Sequence, residues 1–132
     1  MSGGHSSLTD LRDRAYEIAK SKGWYEEGKE KTPGEAIALM HSELSEALEE
    51  VRDRRPLAEL YYETIGHRTI VGSLVQADGT LAKPCGFPSE LADVIIRILD
   101  FSGRHGIDIE RAVLEKMDYN ATRPVRHGDK AL

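Results

Sequence analysis

The chain has 132 residues, of which 31% are charged and 6% aromatic, with a formal net charge of -5. That length is one domain's worth, 1–132, and so much charge with so few aromatics favours helices over a β-sandwich. The acidic balance excludes a broad phosphate-contacting surface for duplex nucleic acid. The one cysteine, Cys85, excludes an intrachain disulfide and a thiolate metal cage. No apolar run is long enough to span a bilayer and the start carries no secretory h-region, so no membrane is expected and a cytoplasmic protein follows by elimination.

The opening Met1 to Ser7 reads as a frayed terminus; from there Leu8, Leu11, Ala15, Ile18 and Ala19 recur at helical spacing, predicting a first helix to about Lys22 that Gly23 stops. Residues 24–31 read as a loop. Thr32-Pro33-Gly34-Glu35 opens a second helix, with Pro33 in the first turn and Glu35 at the positive end of the dipole. Ala36, Ile37, Met40, Leu44, Ala47, Leu48 and Val51 form its apolar stripe, and the helix runs to roughly Arg54 before Pro56 ends it. Residues 57–66 fit a helical turn or short helix. Thr69 to Val75 is β-rich and Asp78-Gly79 is a hairpin signal, so 67–83 reads as a small β-hairpin insertion. Phe87-Pro88-Ser89-Glu90 starts a third helix that ends near Gly103. Asp108 caps a fourth, which runs until Pro124. The tail 125–132 is basic and extended. The expected fold is an all-α four-helix bundle with a hairpin between helices 2 and 3. The wide stripes on helices 2 and 3 imply a dimer or dimer of dimers.

Two acidic couplets interrupt the apolar pattern: Glu43-x-x-Glu46 on the second helix and Glu90-x-x-Asp93 on the third. Residues three apart share a helix face, with Cβ atoms roughly 5–6 Å apart. If the helices pack, four carboxylates converge, and like charges at about 4 Å repel by roughly 4 kcal/mol even at an effective dielectric of 20. Such a cluster needs protonation or a cation. Carboxylate oxygens select a hard divalent ion, Mg²⁺ with Mn²⁺ as a substitute, over zinc or copper. A surface ion pair with Arg97 accounts equally well for Asp93 taken alone, and the second couplet tips the weighing toward metal. Glu49 and Asp53 read as solvated acids, and Glu50 as a helper.

Lys116, Asn120 and Arg123 follow at i, i+4 and i+7 on the fourth helix and just beyond it, giving an amide and two cations on one side, suited to a polyphosphate. A divalent ion beside Lys and Arg is the equipment of phosphoryl transfer. No P-loop is present, so side chains and metal would hold the phosphates. Trp24 is a base-stacking platform or a packing anchor. His41, His67, His105 and His127 lack zinc-hydrolase spacing, Cys85 has no basic partner to activate it, and Tyr61 and Tyr62 read as core or interface residues.

The run Ala36 to Ala47 with its Glu43-Leu44-Ser45-Glu46, then Glu90-Leu91-Ala92-Asp93-Val94-Ile95-Ile96, Gly106-Ile107-Asp108 and Lys116-Met117-x-x-Asn120-x-x-Arg123-Pro124, resemble the MazG-like members of the all-α nucleoside triphosphate pyrophosphohydrolases. The resemblance covers about 8–56 and 86–128. It implies Mg²⁺-dependent hydrolysis of an NTP or dNTP to the monophosphate and pyrophosphate, with Glu43, Glu46, Glu90 and Asp93 on the metal and Lys116, Asn120 and Arg123 at the phosphates. It also implies an aromatic residue, here Trp24, near the base. Two departures stand out. Ser42 occupies a position that is acidic in many relatives, leaving Glu43, Glu46 or Glu50 as candidate general base. The stretch 67–83 is also longer than the link in compact relatives. A phosphoribosyl-ATP pyrophosphohydrolase, a dimeric dUTPase and a non-catalytic metal- or nucleotide-binding regulator are the alternatives.

Overall fold

Three of the helices begin where a side chain accepts from their free backbone N–H groups. Ser7 and Asp10 form a reciprocal capping box at the start of α1 (Leu8–Ser21): the Asp10 amide donates to Ser7 Oγ at 3.0 Å and the Ser7 amide to Asp10 Oδ2 at 3.3 Å. Thr32 and Glu35 repeat the device at α2 (Pro33–Arg52), with Pro33 in the first turn. The backbone and side chain of Thr32 hold the Glu35 carboxyl below its ordinary value. α3 spans Phe87–Arg104. α4 spans Ile109–Ala121, where the Asp108 side chain accepts from the Arg111 amide at 3.1 Å. These bounds fall within two residues of those the periodicity predicts.

The computed structural model describes residues 6–66 and 68–124. Residues 1–5 of the expected frayed start, the tail expected over 125–132 with His127, and His67 lie outside the described residues. Among those described, no helix is long and apolar enough to cross a membrane.

The expectation of an all-α bundle is corrected by the segment between α2 and α3. Tyr61–Glu63 forms β1, the central strand of a three-stranded antiparallel sheet, where a helical turn was the expectation. β2 (Ile70–Val71) pairs with it through Tyr62↔Val71 and Glu63↔Ile70. β3 (Lys83–Cys85) pairs on its other side through Tyr61↔Cys85, Tyr62↔Pro84 and Glu63↔Lys83. The protein is therefore mixed α and β. The predicted hairpin is present only at its tip. Gly79 N–H donates to the Gln76 carbonyl at 2.9 Å, Gln76 N–H to that of Thr80 at 2.8 Å, and Val75 bridges Leu81. Beyond that tip the two arms part and flank β1. A two-stranded ribbon is marginal in water, and a third strand rich in aromatics gives both arms a better partner than each other. Pro84, which cannot donate to a ladder, sits on an edge strand as its chemistry requires.

The chain divides into two compact units: the described residues up to Trp24 together with those from Leu99 on, and Tyr25–Ile98. The first holds α1, the last turns of α3, and α4. Its buried residues are Ala15, Ala19, Leu99, Asp100 and Ser102. α1 and α4 pack together: the Thr9 amide donates to Glu110 Oε1 at 3.0 Å, and Arg12 reaches the Ile107 carbonyl at 3.0 Å. The second unit holds α2, the sheet and the start of α3, and buries Ala47, Ala82 and Cys85.

Candidate functional site

All five acids singled out by the sequence lie in the second unit. Glu43, Glu46 and Glu50 stand on successive turns of α2, and Glu90 and Asp93 on the first turns of α3. Glu43, Glu50, Glu90 and Asp93 are half-buried, while Glu46 is exposed.

Glu90 reports what surrounds it. Burial pushes its carboxyl above the ordinary value, and the negative charges of Asp93, Glu46 and Glu50 push it further, in that order; Lys83 on β3 opposes them. A glutamate in the first turn of a helix should instead be favoured as the anion by the dipole. Desolvation and three neighbouring acids outweigh that effect. Four carboxylates from two helices thus share one field: Glu46, Glu50, Glu90 and Asp93. Glu43 is not among the charges that act most on Glu90, and Glu50, which the motif spacing left as a helper, takes that place.

Glu50 is held by a residue for which the sequence offered no functional signal. The Tyr61 hydroxyl on β1 donates to Glu50 Oε1 at 3.3 Å. Burial and the charge of Glu50 keep this phenol protonated, hence donating. The Arg55 guanidinium lies 3.9 Å from the Tyr61 ring centroid and pairs with Glu59 at 2.9 Å, so the ring is clamped from its face. The contact crosses the loop between α2 and β1, beyond the reach of any helical spacing rule. Tyr61→Phe is expected to lower the free energy of unfolding by about 1 kcal/mol, the usual worth of one hydrogen bond. A fall in the urea midpoint at unchanged slope checks it; an unchanged midpoint would show the bond contributes nothing.

Cys85 is buried. Burial and the charges of Glu63, Glu50 and Glu90 drive its thiol upward, Lys83 opposing, so it remains a thiol and not a thiolate nucleophile. His41 is exposed on α2 and lines an apolar groove with Leu44 and Leu48.

Lys116, Asn120, Arg123 and Trp24 belong to the other unit. The three polar residues are exposed, and α4 ends at Ala121, so Arg123 lies in the turn beyond it. Both cations gather on one aromatic ring: Lys116 Nζ lies 5.7 Å and Arg123 Cζ 5.6 Å from the centroid of Tyr119. Cation–π attraction at this range draws two like charges together. Tyr119 is the further residue that this end of α4 adds to the sequence reading.

The donor set of the acid cluster, carboxylate oxygen throughout, is that of a hard divalent ion. Among the described residues no three His, Cys, Asp or Glu side chains stand at ligating separation, so binding would require the acids to turn inward. No protein family, curated protein or solved structure matches the chain.

Proposed function

We propose that the protein is a nucleotide pyrophosphohydrolase of the MazG-like kind, cleaving an NTP or dNTP to the monophosphate and pyrophosphate. The observation that carries this reading is the convergence on Glu90: a half-buried carboxyl raised by its own burial and by Asp93, Glu46 and Glu50. Repelling acids presented by α2 and α3 are unfavourable on their own and become favourable around a cation.

In this reading Glu43, Glu46, Glu90 and Asp93 supply the ligands for Mg²⁺, with Mn²⁺ as a substitute. The bound ion would neutralise the triphosphate and make a water nucleophilic. Glu50, which accepts from Tyr61, would take the proton of the attacking water, with Glu43 and Glu46 open to the same role. Lys116, Asn120 and Arg123 form a cationic end suited to phosphate oxygens, and Trp24 is the candidate stacking partner for the base. Those assignments rest on the sequence resemblance. The protein acts without duplex nucleic acid or membrane, in the cytoplasm, as a homodimer or homotetramer.

The test is pyrophosphate release from the common NTPs and dNTPs, dUTP and phosphoribosyl-ATP, with Mg²⁺ or Mn²⁺. One or more substrates should be turned over. Glu50→Gln should lower the rate by about 100-fold, the low end of what a positioned base contributes, and Asp93→Asn should lower it at least as much while the helical circular dichroism is retained. Turnover of none of these substrates, or full rates in both variants, would refute the reading.

A further inference from the structure

Residues directly opposite one another in an antiparallel pair share one face of the sheet. The register of β1 and β3 therefore puts Tyr61, Glu63, Lys83 and Cys85 on the same face. That face is turned toward the acids of α2, since the Tyr61 hydroxyl donates to Glu50 Oε1 at 3.3 Å. Just beyond β3, Gly86 ties the strand to α3, its carbonyl accepting from the Glu90 amide at 3.1 Å. Lys83 thus stands on an edge strand, beside the field that Glu46, Glu50, Glu90 and Asp93 share.

The fold leaves this charge unpaired. Glu63 lies directly opposite on β1, yet among the described residues the Lys83 ammonium makes no ion pair or hydrogen bond. Among the groups that act on Glu90, Lys83 is the cation, and it acts on Cys85 in the same sense. A lysine on an edge strand also discourages pairing with another chain. That role does not require the side of the sheet that faces the acids.

A polyphosphate that approaches four carboxylates is repelled by them. A divalent ion among those acids cancels two of the four charges, so a second cation is needed before the site accepts a polyanion. We propose that Lys83 supplies it: its ammonium binds a phosphate group of the substrate, which makes the sheet between α2 and α3 part of the substrate site. An ammonium, with three donors and no acceptor, suits phosphate oxygens. The ligand class is that of the function proposed above, on which this rests. Lys83 itself falls outside the sequence resemblance, which covers about 8–56 and 86–128. Lys116 and Arg123 belong to the other unit, and Lys83 is the cation that the acid-bearing unit itself sets beside Glu90.

The test reads binding and not turnover, by calorimetry with inorganic tripolyphosphate in Mg²⁺ buffer. The wild type should bind it. Lys83→Gln should bind about tenfold more weakly, the usual loss for one hydrogen bond to a charged group, and Lys83→Arg should stay close to the wild type. Mn²⁺ titrated alone should bind Lys83→Gln about twofold more tightly than the wild type, because a neighbouring positive charge is gone. A damaged fold weakens both ligands, whereas loss of one cation moves them in opposite directions. No tripolyphosphate binding by the wild type, equal binding by Lys83→Gln, or a loss of affinity for both ligands would overturn the proposal. Weaker tripolyphosphate binding by Lys83→Gln, with no nucleotide turned over by the wild type, would leave Lys83 a polyphosphate ligand and refute the pyrophosphohydrolase reading alone.

Discussion

Gly86→Ala is expected to destabilise the protein by about 3 kcal/mol and lower its melting temperature by roughly 10 °C. Gly86 joins β3 to α3 with φ at +105°, a region that residues carrying a Cβ rarely enter. A Cβ there would also run into the backbone carbonyl oxygen of Glu59 and come within 3.4 Å of the Tyr61 ring. The carbonyl belongs to main chain and cannot swing aside as a side-chain tip would. Relief therefore means moving the start of β1 away from the end of β3. Gly79 supplies the contrast. It too has a positive φ, +86°, but a Cβ there meets nothing within 4 Å. Gly79→Ala should lose only the conformational strain, about 1 kcal/mol. Thermal melts of the two variants side by side check the difference. Equal losses would mean that the packing against Glu59 is not what makes Gly86 necessary. The junction also bears on the site, because the Glu90 amide donates to the Gly86 carbonyl at 3.1 Å and Tyr61 holds Glu50.

Glu90→Gln is expected to raise the melting temperature at neutral pH in metal-free buffer while abolishing any response to Mn²⁺. The sign follows from the direction of the shift. The Glu90 carboxyl lies above the ordinary glutamate value of 4.5 in the folded protein, through burial first and then through Asp93, Glu46 and Glu50. The folded state therefore binds the proton more tightly than the unfolded one. The contribution to stability is complete below pH 4.5 and is lost as pH rises through the folded value. At neutral pH folding must either hold the Glu90 carboxylate in this field or protonate it, and the neutral isostere removes that cost. The advantage of the variant should shrink toward zero as pH falls below 4.5, where the wild-type residue is itself protonated. Mn²⁺ should raise the melting temperature of the wild type by binding only the folded state, and should leave Glu90→Gln unmoved. A variant less stable than wild type at neutral pH would show that partners favour the Glu90 anion and that crowding does not govern it.

Helix positions were the most legible part of this chain, because they follow from local chemistry. Ser7, Thr32 and Asp108 cap their helices through atoms three residues away, and the apolar period marks the rest. The two acid couplets were legible for the same reason: i and i+3 share a face whatever the rest of the chain does. The sheet was not. Residues 57–66 have no period long enough to separate a helical turn from a strand, and the Asp78-Gly79 signal identifies a turn without saying what its arms pair with. The stretches Thr69–Val75 and Leu81–Lys83 look like partners in sequence, yet the strands that form there and just beyond, Ile70–Val71 and Lys83–Cys85, each take Tyr61–Glu63 instead.

Local sequence settled the helical segments, the Asp108 cap, and the side of each helix on which Glu43, Glu46, Glu90 and Asp93 fall, since all of these depend on contacts within a turn or two of backbone. Tertiary structure alone decided which acids share a field. It drew Glu50 rather than Glu43 into the surroundings of Glu90, set Tyr61 against Glu50 from a strand that no local rule foresaw, and placed Lys83 where it offsets the negative charge. Those outcomes depend on which distant segments meet, and that is fixed by burial and strand pairing across the whole unit, not by spacing along one helix.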